Sequence, residues 1–336
     1  MGRRLAAFVV LAGLLAAAPP PLEVHAAQGP SSGPLPRTPW GDPDLQGVWN
    51  NNTVVPLQRP ADLAGREALT AEEVAERFQR TSSGLFPQDH SDSAPPRGGA
   101  SYNEFWFEWG EDTNRTSLIV DPPDGRLPPL TAEAAARLAE NPFPYGGRSG
   151  LDSWEGLSLF ERCITRGMPG GMLPGFYNHN HHILQTPGLV VIVHEMLHDA
   201  RVIPLDDGAD ARRRVPQWLG TPRGRWEGDT LVVETTGFNA RANQRGPGGG
   251  SGAAMIFTDF SGSRGARLVE RFRRVADDVI DYRFTLDDPA EFEHPFTVAI
   301  PMRKTDGVLF EYACHEGNYG LVNALRSARY AERAER

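Results

Sequence analysis

The 336-residue sequence has one lysine, Lys304, beside 33 arginines, and it has only two cysteines. Beyond the first twenty residues no apolar run approaches the roughly 20 residues that span a bilayer, which excludes a transmembrane helix there. Basic residues are also in deficit, 34 against 43 acidic, for a net charge of -9. Neutralising phosphates needs surplus Lys and Arg on one surface, so general nucleic-acid binding and docking to anionic membranes are both disfavoured. The arginine bias fits either bidentate anion recognition or the codon usage of a GC-rich genome. No nucleophile elbow, phosphate-binding glycine loop or dinucleotide fingerprint occurs, and no helix that could hold a phosphate follows the glycines of 246–250.

What is present describes a globular, exported chain. Hydrophobic residues make up 40%, too many for a disordered protein, and the 36 Gly and 29 Pro follow no collagen period. Arg3 and Arg4 precede the apolar run Leu5 to Ala18, and Val24-His25-Ala26 places small residues where a signal peptidase reads. Residues 1–26 therefore read as a cleaved signal peptide, leaving 32 basic and 42 acidic residues in a periplasmic or secreted protein. In an oxidising compartment the two cysteines invite a disulfide between Cys163 and Cys314, with a catalytic thiol as the rival reading.

The chain divides into two parts. Residues 27–150 are rich in Pro, Gly and Ser and read as a loop-rich wrapping segment with two short helices. One is announced by the capping box of Thr70 and Glu73 ahead of 71–80, the other by Thr131. Between them, Tyr102 to Trp109 holds five aromatics in eight positions, either a plug for a core or the wall of a ligand pocket to which Tyr102 and Trp106 contribute.

Residues 151–336 show repeated hairpins. Strands at 177–185 and 189–195 flank Thr186-Pro187-Gly188, those at 223–226 and 230–236 flank Glu227-Gly228-Asp229, and those at 267–275 and 279–286 flank Ala276-Asp277-Asp278. A fourth hairpin, 296–303 with 308–314, turns at Thr305-Asp306-Gly307, and 320–334 reads as a helix packing across one end. Ile280, Tyr282, Phe284 and Leu286 alternate onto one face. The fold expected is mainly β: an up-and-down antiparallel barrel or a strongly curved sheet, lipocalin-like in outline, closed because closure removes edges.

Three stretches carry a resemblance: Thr38 to Trp49 (TPWGDPDLQGVW), Thr116 to Gly125 (TSLIVDPPDG) and Glu311 to Gly320 (EYACHEGNYG). Together they resemble a large uncharacterised family of exported bacterial proteins of similar length, over nearly the whole mature chain. The resemblance implies export and brings with it no activity, cofactor or catalytic residue.

Five of the nine histidines fall between 179 and 198. His194-Glu195-Met196-Leu197-His198 matches the zincin string, but that motif needs a helix, and the β-branched residues on either side are strand-like. On strands the same residues pair. With Pro187-Gly188 at the tip, Gln185 faces Val190, Ile183 faces Ile192 and His181 faces His194, and His179 shares their face. His198 joins them only if no bulge follows His194. Opposed side chains have Cβ atoms about 5 Å apart, within reach of a shared metal. The cofactor the pattern allows is thus a divalent transition metal, zinc or iron, on His179, His181, His194 and His198. The spacing of His179, His181 and Gln185 is loosely similar to the first cupin metal motif, without its carboxylate and without a second motif. Metal-free acid–base work and purely structural hydrogen bonding remain open beside it.

Two further groups stand out. Asp199 and Arg201 share a strand face where an ion pair is natural, and Arg201 is also a candidate substrate-binding residue. Near the C-terminus, His315, Glu316 and Tyr319 gather at Gly317, offering imidazole, carboxylate and phenol for acid–base chemistry. The function expected is a secreted or periplasmic small-molecule enzyme, a lyase, isomerase or hydrolase, with His181, His194, His315, Glu316 and Tyr319 doing the chemistry in an aromatic-lined barrel pocket. Its partner is a small organic molecule, with no nucleic acid and no membrane insertion. A non-catalytic barrel binding an apolar ligand or a metal, and an envelope interaction module, are the alternatives.

Overall fold

The computed structural model describes residues 35–84, 108, 110, 112–140, 151, 153–175, 177–205, 215–241 and 262–334. Ten antiparallel strands form one nearly closed, barrel-shaped sheet. They are β1 (Gly47–Asn50), β2 (Ile119–Asp121), β3 (Asn180–Thr186), β4 (Leu189–His194), β5 (Ala200–Pro204), β6 (Thr221–Glu227), β7 (Thr230–Thr236), β8 (Arg267–Ala276), β9 (Val279–Asp287) and β10 (Phe296–Thr305). Among the described residues three α-helices accompany them: α1 (Ala71–Gly84), α2 (Ala132–Glu140) and α3 (Tyr319–Ala334). Among the described residues no helix is long and apolar enough to cross a membrane.

The strand order is β5-β4-β3-β1-β10-β9-β8-β7-β6, with β2 pairing on β10 beyond the end of β1. Two meanders, β3 to β5 and β6 to β10, are thus joined by β1, which pairs with β3 on one side and β10 on the other. The N-terminal segment therefore supplies two strands of the barrel itself. At the seam between β5 and β6, a Cβ on Gly224 would stand 2.6 Å from Leu205 Cδ2 and 2.9 Å from Ile203 Cγ2. Glycine there leaves room for the Leu205 and Ile203 side chains of the facing edge.

Three of the four expected hairpins form, and the alternation drives them. Ile280, Tyr282, Phe284 and Leu286 are all buried, opposite Leu268, Phe272 and the inner residues of β10. The fourth does not form. Beyond β10 the chain from Val308 to Cys314 forms no strand: Phe310 N–H donates to Glu195 Oε1 at 3.0 Å, Tyr312 N–H to His198 Nε2 at 2.8 Å, and Cys314 N–H turns back to the Tyr312 carbonyl at 2.7 Å.

The helices start where their caps are written. Thr70 N–H donates to Glu73 Oε2 (2.8 Å) and Glu73 N–H to Thr70 Oγ1 (3.3 Å), the reciprocal pair of a capping box, and Ala134 N–H donates to Thr131 Oγ1 at 3.1 Å. Helix α3 forms where expected but buries none of its residues, so it lies outside the barrel rather than sealing an end of it.

Chain segments stop both ends of the barrel. At one end the residues before β1 enter: Leu45 N–H donates to Gln185 Oε1 (2.6 Å), Gln185 Nε2 donates back to the Pro43 carbonyl (3.1 Å), and Arg274 Nη1 donates to the Asp44 carbonyl (2.7 Å). Gln185 thus anchors a plug and takes no part in any histidine site. At the other end lies the glycine-rich stretch from Gly167 to Gly175. It is tied down by the disulfide Cys163–Cys314 (Cα–Cα 5.7 Å), by Thr165 Oγ1 donating to Asp199 Oδ2 (2.7 Å), and by Gly262 N–H on the Met168 carbonyl (3.0 Å).

Candidate functional site

The β3–β4 hairpin has the register that its Pro187-Gly188 tip dictates: Gln185 opposite Val190, Ile183 opposite Ile192, His181 opposite His194. Period-2 alternation turns both histidines inward, where each is at most 2% exposed. Their rings meet edge to face at 4.9 Å between centroids, with Nδ1 to Nδ1 at 2.9 Å. That is a hydrogen bond, so one ring donates from Nδ1 and the other accepts at Nδ1. The Nε2 atoms of His181 and His194 are both buried and have no hydrogen-bond partner.

Around this pair the interior is polar and positive. His179 is buried, with Nε2 3.2 Å from Arg166 Nη1, and Arg166 itself is only 2% exposed. Gly175 makes room for the His179 ring, since a Cβ there would overlap it. Asn51 lies on the inward side beyond Trp49; its backbone N–H meets the His179 carbonyl and its Nδ2 donates to the Met172 carbonyl at 2.8 Å. Asn51 Oδ1 is buried without a partner. Below the histidines, Arg201 reaches across the barrel from β5 to Glu270 on β8 in a bidentate pair, Nη1 to Oε1 at 2.9 Å, and the Tyr282 hydroxyl donates to the same Oε1 at 3.0 Å. All three are at most 2% exposed.

Burial and charge act together on the histidines. Loss of solvation, then the guanidinium charges of Arg166 and Arg201, push His181 down to about 3. His179 is also lowered, by burial first and then by Arg166, His181 and His194, against a weaker opposite pull from the Leu173 carbonyl. His194 is lowered by burial and then by His181, Arg201 and Arg166. All three imidazoles are neutral at physiological pH. Burial and the nearby Glu270 carboxylate hold the Tyr282 phenol well above its ordinary value.

The other candidates lie elsewhere. A turn containing Met196 to His198 intervenes after β4, with Leu197 (φ 61°) and His198 (φ 55°) both left-handed, and this puts His198 on the surface. Its Nε2 accepts from Tyr312 N–H, away from the interior histidines. Asp199 pairs with Thr165 and not with Arg201, whose partner is Glu270. His315, Glu316 and Tyr319 are exposed, Tyr319 by 73%, around Gly317 beside the disulfide. A surface turn and a sealed interior pair do not make one site, so this trio and the dyad are not brought together. Tyr102 and Trp106 lie outside the described residues, as do the signal segment and the glycines of 246–250.

Among the described residues no three of His, Cys, Asp and Glu converge on a point where a metal ion can sit. The dyad nitrogens are also closer than the about 3.4 Å that two imidazoles adopt on a tetrahedral zinc with bonds of about 2.1 Å. Two arginines beside them make the position unfavourable for a cation.

Sequence reasoning passed over Arg166, Asn51, Glu270 and Tyr282 as site residues. Glu270 did carry a signal: it is a charged residue at an inward position of the alternation Leu268, Glu270, Phe272, Arg274. Arg166 and Asn51 lie outside regular strands and carried none. No protein-family model, curated protein or solved structure matches the chain.

Proposed function

We propose that the protein is an exported small-molecule enzyme whose acid–base chemistry is carried by the His181–His194 dyad inside the barrel. The observation that carries this reading is the pair of buried Nε2 atoms without partners. Leaving such an atom unsatisfied costs about 1–3 kcal/mol, and a dyad kept only for packing would be cheaper as two apolar residues. A group that meets one of those atoms during turnover accounts for part of the cost. Neutral imidazole can donate to a developing oxyanion as well as accept a proton, so low basicity suits the dyad to bifunctional work rather than to strong-base catalysis. Export is supported by the disulfide, which persists in oxidising compartments.

The covering glycines of 167–175 leave the dyad closed to solvent, so substrate entry requires them to move. That closed state favours a second reading, a binding barrel without chemistry. The full-length protein is to be screened against small oxygen-bearing organic compounds, by thermal shift and by product formation. Turnover that falls about 10²-fold or more in both His181→Gln and His194→Gln supports the enzyme. Undiminished turnover in both variants refutes it, and binding without any product selects the second reading.

A further inference from the structure

We propose that His198 is a proton-released latch: as a neutral imidazole it holds the strap of residues 306–313 against the barrel, and on protonation it lets that strap go. The strap runs from the end of β10 to Cys314. Apolar burial does little to hold it, because Val308 is 67% exposed and Phe310 68%. Side-chain acceptors from the turn after β4 hold it instead. Glu195 Oε1 takes the Phe310 N–H, and His198 Nε2 takes the Tyr312 N–H.

A proton affects these two anchors differently. A backbone N–H can only donate, so the His198 anchor requires a bare lone pair on Nε2. An imidazolium carries hydrogen on both ring nitrogens, and the one on Nε2 would face the Tyr312 hydrogen, donor against donor. Attraction becomes repulsion, and the Tyr312 N–H has to swing out to water. Glu195 is less sensitive, since its carboxyl group can still accept after protonation, and its Oε2 is held by Asn180 Nδ2 at 2.7 Å. Histidine is also the side chain whose charge changes between about pH 5 and about pH 8. The strap is thus tied at one point that acid removes and at another that acid spares.

The turn is built to aim this ring. Leu197 and His198 are both left-handed without being glycine, a conformation kept only at a cost and one that concentrates where a side chain has a task. His198 N–H meets the Glu195 carbonyl at 3.4 Å and His194 N–H meets the Asp199 carbonyl at 2.8 Å, which pins the turn on both sides. The other ionisable groups on the elements packed about it are Glu195 and Asp199 on the turn, Glu311 and His315 along the strap, and Glu161, Arg162 and Arg166 beside Thr165. Each has another engagement or faces solvent: Asp199 accepts from Thr165, Glu161 accepts from Ser158 N–H at 2.7 Å, Arg162 lies over the Trp154 ring, Arg166 meets His179, and Glu311 and His315 are exposed. Release is reversible, because the disulfide to Cys163 keeps the end of the strap within reach of the turn.

Amide hydrogen exchange of the full-length protein tests the latch, read residue by residue from about pH 8 to about pH 5 and divided by the intrinsic rate at each pH. The Tyr312 amide of the wild type is expected to lose about 10-fold of its protection over that range. In His198→Gln the side-chain oxygen accepts at every pH and takes up no proton, so protection at Tyr312 is expected to stay level. Both proteins keep His179, His181 and His194, so any acid weakening of the whole fold is common to them and cancels. Tyr312 protection indifferent to pH in the wild type overturns the latch, and so does a loss as large in His198→Gln as in the wild type. Nitrogen-15 histidine NMR of the wild type needs no variant to fold: His198 Nε2 is expected to be bare at about pH 8 and protonated at about pH 5. A His198 ring that stays neutral across that range also overturns the proposal.

Discussion

Acidification should unfold this protein through its buried histidines, and the size of the effect can be worked for His181. In the unfolded chain a histidine titrates near 6.5. In the fold, burial and the two arginines lower His181 to about 3. Between those values the unfolded state holds the extra proton, so stability rises with pH across the window. The contribution is fully present above about 6.5 and is lost progressively as pH falls toward 3. Going from about pH 7 to about pH 5, linkage gives a loss of about 2 kcal/mol from this one residue, with His179 and His194 shifted in the same direction. Against a total of about 5–15 kcal/mol for a typical fold, that is a large fraction.

Carboxylates raised by burial, Glu108, Asp112, Asp199 and Glu291, titrate in the opposite sense. A comparison of wild type with His181→Gln cancels them. Urea denaturation of both at about pH 7 and about pH 5, read by tryptophan fluorescence, should show the wild type losing about 2 kcal/mol more than the variant. Equal losses in the two proteins would refute the claim that His181 is held neutral.

Two other outcomes follow from contacts made at long range in sequence. Glu270→Ala leaves Arg201 as a buried, uncompensated charge and should cost about 3–5 kcal/mol in urea, while Glu270→Leu combined with Arg201→Leu recovers most of it; a single variant as stable as wild type would show that the pair is solvated. Replacing Cys163 and Cys314 together by serine opens a loop of 151 residues. That should lower stability by up to about 5 kcal/mol on the chain-entropy argument, and a melting curve indifferent to the change or to reductant would contradict it.

Where local chemistry decides geometry, the sequence was legible. The Pro187-Gly188 tip fixes the register of its hairpin, and counting back from it pairs His181 with His194 before any coordinate is known. The capping residues of α1 and α2 are equally local. Misreadings arose where distant groups intervene. Val308, Phe310 and Tyr312 alternate like a strand, yet Glu195 and His198 capture the amides a strand would use. Arg201 looked like the partner of Asp199, but it turns inward across the barrel while Asp199 is held by Thr165. The position of His198 depended on two left-handed residues that are not glycine, for which no local rule gives warning. β1 has four residues, too few for its pattern to be read, although it joins the two meanders.

That joining strand also sets the order of assembly. Gly47–Asn50 emerges early in the chain, but its partner Arg303–Thr305 comes some 250 residues later. Each meander can build from neighbouring hairpins, on the microsecond scale typical of such units. The strand that unites them must wait, unpaired on one side, until the last strand arrives. Contacts that distant make for slow folding and a period of exposed edges, so completion of the barrel falls at the end of the process, after the whole chain has been delivered. For a chain exported as proposed above, that places completion of the barrel outside the cytoplasm, and a chain shortened before residue 303 would lack the partner through which β1 joins the two meanders.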